Sequence, residues 1–166
     1  SMTLGPMMID VQGTTLTQED RDLMAHPLVG AVILFTRNFE SDEQLTQLVG
    51  DIRAVRSPPL LVTVDHEGGR VQRLGKGFTV LPPMRMIGRQ YDLDPAAGKL
   101  LSRQCGWLMA AELRAVGIDM SFAPCVDLDY GASSVIGDRA FHRDPRAVSE
   151  LAIAFMGGMR EAGMSA

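Results

Sequence analysis

The sequence has few cysteines, no long apolar run and no excess of positive charge. Two cysteines among 166 residues cannot build the disulfide framework of a small secreted domain. No apolar run approaches the roughly 20 residues of a membrane span, and the N-terminus lacks the basic and apolar regions of a signal peptide. Lysine and arginine total 16 against 20 acidic residues, a net charge of −4, which argues against nucleic-acid and membrane partners. We therefore expect a cytoplasmic protein, with Ser1 ahead of Met2 as the scar of a removed tag.

Short apolar runs alternate with segments of helical periodicity. Capping boxes at Thr17/Asp20 and Ser41/Gln44 mark two helix starts, and Asp94-Pro95 and Asp144-Pro145 mark two more. The predicted strands are 6–11, 31–35, 60–64 and 118 to about 124, and the predicted helices are 17–25, 41–55, 94–117 and 144–159. We predict that the stretch from His66 to about Asp92 is irregular, because it is rich in glycine and contains Pro82-Pro83.

Four strand–helix units in succession predict an α/β protein with a parallel sheet. The whole chain, 1–166, is interpreted as part of one domain, since no linker or low-complexity segment interrupts it. Two architectures fit: a doubly wound open sheet, and half of a (β/α)₈ TIM barrel. Polar clusters follow three of the strands at 36–38, 65–67 and 127–129. Both architectures bind ligands at that edge, so the clusters predict the place of the site without deciding the fold.

The densest group of chemical side chains is the nonapeptide 65–73, DHEGGRVQR. Carboxylates accept hydrogen bonds from hydroxyl groups and arginine donates to oxygens, so Asp65 and the arginines suit a polyhydroxyl ligand such as a sugar. The alternative is an ion-pair network that fixes a loop, which we favour for Glu67 and Arg70. A metal site is disfavoured because adjacent ligands in an extended segment diverge. The glycines match neither nucleotide-binding pattern.

A second group, IGDRAFH at 136–142, follows the fourth strand. Arg139 could reach a ligand at the same edge, whereas Asp138 and His142 could equally cap a helix or fix the loop. Trp107 and the methionines of the long helix are predicted to be core residues. Cys105 lies on an apolar helix face and is predicted to be inert.

These segments, in this order, resemble the bacterial β-N-acetylglucosaminidases of glycoside hydrolase family 3. The resemblance covers nearly the whole chain, and the 65–73 segment is its most specific part. His66 is a mild departure, because that position is often glutamine in such enzymes. The segments that carry the resemblance are LVG at 28–30, ILFTRN at 33–38, VDHEGGRVQR at 64–73, FAP at 122–124 with Asp127, IGDRAFH at 136–142 and GMREAGM at 158–164.

The resemblance implies a (β/α)₈ barrel and a retaining exo-glycosidase. Such enzymes remove terminal β-1,4-linked N-acetylglucosamine from anhydro-muropeptides in the cytoplasm during peptidoglycan recycling. Residue by residue, Asp65, Arg73 and Arg139 match the family's sugar-binding positions in the −1 subsite. We predict no cofactor and no metal.

The family continues with a Lys-His-Phe-Pro-Gly-His-Gly segment, a loop with a histidine acid/base, and an aspartate nucleophile. None of these is in this sequence, so we expect no catalytic residue here, an inactive chain, and a missing C-terminal half of the barrel as its partner. The alternatives are another family 3 enzyme such as a β-glucosidase, and a non-catalytic sugar-binding half-barrel. A phosphate-binding α/β protein is disfavoured, because no glycine loop precedes a helix.

Overall fold

The computed structural model describes residues 4–64, 78–79, 81–121 and 142–165. Its strands are β1 (Met7–Asp10), β2 (Val29–Leu34), β3 (Leu61–Val64) and β4 (Met120–Ser121). Its helices are α1 (Gln18–Met24), a 3₁₀ turn (Thr36–Asn38), α2 (Asp42–Ala54), α3 (Met84–Leu93), α4 (Pro95–Ala115) and α5 (Pro145–Glu161). Strands and helices therefore alternate, as the sequence predicts.

The strand order identifies the architecture. All neighbouring strands pair in parallel in the order β1-β2-β3-β4. Met120 of β4, which pairs with Thr63 of β3, also forms a parallel bridge with Ser165. A doubly wound sheet reverses its strand order at a switch point. Here each unit is added on the same side, which is how a (β/α)₈ barrel is built. The described part of the chain is a partial TIM barrel.

The helix boundaries follow from the capping residues. Both predicted capping boxes are present, with Thr17 Oγ1 accepting from Asp20 N at 3.0 Å and Ser41 Oγ accepting from Gln44 N at 3.1 Å. Asp94 caps α4 and Asp144 caps α5, each with proline in the first turn. Gly117, with φ of +90°, occurs just after α4, where only glycine adopts that backbone conformation without strain.

The two faces of the sheet differ in burial. Side chains alternate between the faces of a strand. Those facing the helices, Val32, Leu34, Val62 and Val64, are fully buried. We call this the outer face, and it packs in one core with Leu45, Leu48 and Ile52 of α2, Leu113 of α4 and Phe155 of α5.

The opposite side, which we call the inner face, is open in the described part of the chain. Met8 is 42% exposed and Leu61 39% exposed, and Ile33 is half-buried. Thr63 is the exception, because it is buried and its Oγ1 donates to Val32 O at 3.0 Å.

Two sequence predictions are wrong. The 66–92 stretch is not irregular throughout, because Met84–Leu93 forms α3 with Met84, Ile87 and Gly88 buried. The proline pair ends just where this helix begins, since Pro83 is its N-cap. Trp107 is not a core residue, because 47% of it is exposed on α4. The one methionine of the same helix, Met109, is buried as predicted.

The long helices are not membrane spans. Within the described ranges, no helix combines the length and apolar character that crossing a bilayer requires.

Candidate functional site

The carboxyl ends of the described strands lie at one edge of the sheet. The strands end at Asp10, Leu34, Val64 and Ser121, and the register pairs Leu34 with Val64 and Val64 with Ser121. Ligand sites of parallel α/β folds lie at this carboxyl edge. Asp65 directly follows Val64 in the chain. Asp65, Arg73 and Arg139 themselves lie outside the described residues, as does the rest of both constellations apart from His142.

An ion pair joins the first two strands at this edge. Arg37, in the 3₁₀ turn after β2, places Nη2 2.5 Å from Asp10 Oδ2 at the end of β1. Its Nε donates to Val11 O at 3.2 Å, and its guanidinium lies 5.0 Å from the centre of the Phe35 ring. Both charged side chains are about half exposed, at 47% and 60%. The two opposite charges therefore neutralise each other at the surface, at the carboxyl ends of β1 and β2.

The neighbouring asparagine has a structural role. Asn38 is fully buried, and its Nδ2 donates to Val11 O at 2.9 Å and to Gly13 O at 2.8 Å. Its Oδ1 accepts from Phe35 N at 2.9 Å. These bonds satisfy a buried polar group and fix the loop after β1 to the loop after β2. The sequence signal was an asparagine in the polar cluster just after a buried strand.

His142 connects two helices near the second constellation. Its Nδ1 accepts from Asp144 N at 2.9 Å, and its Nε2 lies 2.6 Å from Asp92 Oδ1 at the end of α3. The ring packs edge-on against Tyr91, with centroids 6.2 Å apart. Of the two roles that the sequence left open for His142, the contacts support loop fixing.

Tyr91 forms a second link between α3 and α5. Its hydroxyl donates to Glu150 Oε2 at 2.5 Å. This hydrogen bond raises the pKa of Tyr91 and lowers the pKa of Glu150, because it stabilises the neutral phenol and the charged carboxylate together. Glu150 is therefore ionised, and the bond intact, at neutral pH.

Cys105 is chemically quiet, as the sequence predicted. It is buried, and desolvation raises the pKa of its thiol to about 11, so the nucleophilic thiolate is scarce at neutral pH. Among the described residues, no three His, Cys, Asp or Glu side chains come together in a group that could hold a metal ion.

Comparison with known families identifies the fold family. Residues 6–166 match the N-terminal domain of glycosyl hydrolase family 3. The chain belongs to this family. The match covers the carboxyl edge and all three predicted sugar-binding residues, so the family membership that the sequence suggested is confirmed.

Similar curated proteins share one name. A beta-hexosaminidase of Thioalkalivibrio sulfidiphilus is 61% identical over 99% of this chain and 48% of its own length. A beta-hexosaminidase of Methylobacillus flagellatus is 59% identical over 99% of this chain and 47% of its own length. The chain thus spans about half the length of the curated relatives it matches.

Solved structures support the same family. NagZ from Neisseria gonorrhoeae, in a crystal structure with N-trifluoroacetyl-D-glucosamine, has a TM-score of 0.94 and 47% identity, over 97% of this chain and 47% of NagZ. A family 3 β-N-acetylglucosaminidase from Paenibacillus has a TM-score of 0.86 and 30% identity, over 95% of this chain and 30% of that protein. The backbone described above therefore corresponds to the first part of a hexosaminidase barrel.

Proposed function

We propose that this chain forms the N-terminal half of a retaining β-N-acetylhexosaminidase. The complete enzyme removes terminal β-1,4-linked N-acetylglucosamine from anhydro-muropeptides during peptidoglycan recycling in the cytoplasm. The observation that carries the proposal is the 61% identity to a beta-hexosaminidase over nearly the whole chain. The N-trifluoroacetyl-D-glucosamine complex of the Neisseria gonorrhoeae protein supports the same sugar class.

Asp65, Arg73 and Arg139 bind the sugar in this proposal. Asp65 accepts hydrogen bonds from ring hydroxyls, and its place directly after the buried end of β3 suits a rigid acceptor. Arg73 and Arg139 donate to hydroxyl or acetamido oxygens. Charge-assisted hydrogen bonds of this kind are about twice as strong as neutral ones, so three of them would select the sugar and hold it in one orientation.

The reaction needs groups that these residues do not supply. A retaining glycosidase places a nucleophile and an acid/base about 5–5.5 Å apart on either side of the glycosidic bond. In the described part of the carboxyl edge, Asp10 is a carboxylate paired with Arg37 at 2.5 Å, which suits a structural role better than attack on a sugar. The nucleophile and acid/base would come from the second half of the barrel, and the 166-residue chain alone would be inactive.

A joined protein tests this proposal. Residues 1–166 are fused to the remaining C-terminal part of the Thioalkalivibrio sulfidiphilus relative, which keeps the natural junction of a 61% identical sequence. We expect hydrolysis of nitrophenyl β-N-acetylglucosaminide and release of N-acetylglucosamine from an anhydro-muropeptide. A matched assay with nitrophenyl β-glucoside should give far less product. Preference for the glucoside would overturn the hexosaminidase assignment in favour of a β-glucosidase.

A further inference from the structure

The ion pair of Asp10 and Arg37 lies on the inner face of the sheet, at its carboxyl edge. Asp10 follows Met8 by two residues and pairs with Ile33 of β2, so its side chain is on the same face as theirs. Arg37, in the 3₁₀ turn after β2, places Nη2 2.5 Å from Asp10 Oδ2. In a (β/α)₈ barrel, side chains on this face at the carboxyl ends of the strands surround the opening where substrates bind.

The pair uses only part of its hydrogen-bonding capacity. An arginine side chain donates from Nε, Nη1 and Nη2, and an ionised carboxylate accepts at both oxygens. Arg37 uses Nη2 for Asp10 and Nε for Val11 O. Within the described part of the chain, Arg37 Nη1 and Asp10 Oδ1 have no hydrogen-bonding partner. The carboxyl edge therefore presents an unused donor beside an unused acceptor.

A second ion pair of the same residue types, at the opposite edge of the sheet, has no unused carboxylate oxygen. Asp119, just before β4, accepts from Arg53 Nη2 at 2.5 Å with one oxygen and from Val62 N at 2.9 Å with the other. Arg53 Nη2 also donates to Gly117 O at 2.9 Å. This pair fixes the last turn of α2 to the sheet. The pair at the carboxyl edge makes fewer bonds to the protein and leaves groups for a ligand.

The unused groups are held in place before a ligand arrives. Arg37 Nε donates to Val11 O at 3.2 Å, and the guanidinium lies 5.0 Å from the centre of the Phe35 ring. The buried Asn38 fixes the turn that carries Arg37 to the loop after β1. Groups that are already ordered lose little side-chain freedom on binding, so their hydrogen bonds contribute more to affinity.

A sugar hydroxyl group has the hydrogen-bonding properties that this pair requires. A hydroxyl both donates and accepts, so one hydroxyl or two neighbouring ones can donate to Asp10 Oδ1 and accept from Arg37 Nη1. An anionic group fits less well, because the carboxylate of Asp10 repels it at the same distance at which Arg37 attracts it. The pair therefore favours a neutral polyhydroxyl ligand over a phosphate or a carboxylate.

We propose that Asp10 and Arg37 bind hydroxyl groups of the substrate sugar, with Asp10 as the acceptor and Arg37 as the donor. The inference rests on the proposed function, which makes the ligand a β-N-acetylglucosaminide. The two residues add contacts from the β1–β2 side of the opening to the three sugar-binding residues predicted from the sequence. The hydroxyl groups belong either to the terminal sugar or to the ring beyond the scissile bond, and the substrates below separate these two sources.

Two substitutions in the joined protein test the contact. R37K keeps a positive charge beside Asp10 but removes the Nη1 donor, and D10N removes the charge of the acceptor. Each should raise KM about tenfold with little change in kcat, because ground-state and transition-state binding are lost together. A loss with nitrophenyl β-N-acetylglucosaminide assigns the hydroxyl to the terminal sugar. A loss with the anhydro-muropeptide alone assigns it to the next ring.

The matched control is R103K, in the exposed Arg103–Glu161 ion pair between α4 and α5 on the outside of the sheet. Exposed ion pairs contribute little to stability, so the melting temperatures of R37K, D10N and R103K should all stay within about 2 °C of wild type. KM should be unchanged in R103K. Wild-type KM values in R37K and D10N with both substrates would overturn the proposal.

Substrate analogues that each lack one ring hydroxyl distinguish a direct contact from a local change of structure. In the wild-type joined protein, the analogue without the contacted hydroxyl should have kcat/KM about tenfold lower. R37K should cost almost nothing further with that analogue, because both changes remove the same hydrogen bond. If R37K lowers kcat/KM by the same factor with every analogue, the proposal is wrong.

The outcomes separate this inference from the proposed function. Preference for nitrophenyl β-glucoside, with the same coupling between R37K and one missing hydroxyl, would contradict the hexosaminidase assignment and support the contact. Normal hydrolysis of both N-acetylglucosamine substrates by R37K and D10N would contradict the contact alone.

Calorimetry supplies a readout that does not require turnover. N-acetylglucosamine and its β-1,4-linked disaccharide are titrated into the joined protein. At least one of them should bind about tenfold more weakly to R37K than to R103K. Equal affinities in the two variants for both sugars would overturn the contact, and a joined protein that binds neither sugar would contradict the contact and the proposed function together.

Discussion

The outer and inner faces of the sheet are built from the same strands but have opposite surroundings. Val32, Leu34, Val62 and Val64 of the outer face have no exposed area. On the inner face Met8 and Leu61 remain about 40% exposed. In the described part of the chain, the helices therefore cover one face of the sheet and leave the other face open. The difference explains how a partial barrel can hold a well-packed core between the sheet and its helices.

The largest expected effect compares one leucine on each face. Leu34→Ala should destabilise the 166-residue chain by about 2–5 kcal/mol, because it removes a buried side chain and leaves a cavity. Leu61→Ala is the matched control. It should cost well below about 1 kcal/mol in the 166-residue chain, since an exposed side chain loses little burial.

Urea unfolding of both variants measures this comparison. In the joined protein, where strands of the second half can cover the inner face, Leu61→Ala should cost more than in the shorter chain. Equal costs for Leu61→Ala in the two proteins would show that the inner face is not covered by the second half.

The next effect concerns the carboxyl edge. Asp65→Ala in the joined protein should remove a charge-assisted hydrogen bond to the sugar and cost about 1.5–3 kcal/mol of transition-state binding. Steady-state kinetics should show a fall in kcat/KM of about tenfold or more. Asp22→Ala on α1 is the control, because Asp22 is an exposed carboxylate that accepts from Gln18 Nε2 at 2.9 Å within one helix. A normal kcat/KM for Asp65→Ala would exclude Asp65 from the site.

The next prediction concerns Asn38, which fixes the loop after β1 to the loop after β2. Asn38→Ala should lower stability by about 1–3 kcal/mol, because it removes a buried side chain that bonds Val11 O, Gly13 O and Phe35 N. Gln47→Ala, which removes an exposed bond to Asp51 within one helix, is the control and should be nearly neutral in thermal unfolding. The contrast would disappear if the loops after β1 and β2 were fixed by their backbone alone.

The smallest effect separates geometry from charge at Arg139. Arg139→Lys keeps the charge but loses the planar set of donors, so we expect a loss of about 1 kcal/mol in sugar binding. Activity should fall while the melting temperature of the joined protein stays nearly constant. A collapse of stability would identify Arg139 as a loop-fixing residue instead.

The sequence predicted the parts of the fold that depend on local chemistry. The caps at Thr17, Ser41, Asp94 and Asp144 are all where the side-chain pattern predicted them. The 66–92 stretch was misjudged because Pro82-Pro83 was taken as a break, whereas a proline just before a helix is compatible with its start. Trp107 was misjudged because it lies among apolar residues of α4. Periodicity does not reveal which side of a helix stays exposed after the neighbouring helices have packed against it.

The place of the site at the carboxyl edge stays a prediction, because Asp65, Arg73 and Arg139 lie outside the described residues. The contacts of the described residues at and near that edge could be compared with the sequence. The links of Arg37 to Asp10 and of His142 to Asp92 could not be predicted, because they join residues 27 and 50 positions apart. Long-range side-chain pairs depend on how the elements pack, and one sequence carries no direct signal for them.

The most direct test of the half-barrel account is reconstitution of activity. The 166-residue chain and the C-terminal part of the Thioalkalivibrio sulfidiphilus relative are expressed separately and together, then compared by size-exclusion chromatography and by hydrolysis of a β-N-acetylglucosaminide. We predict no turnover by either part alone, self-association of the 166-residue chain through its open inner face, and activity in the co-expressed complex. A monomeric 166-residue chain with ordinary turnover would contradict the account.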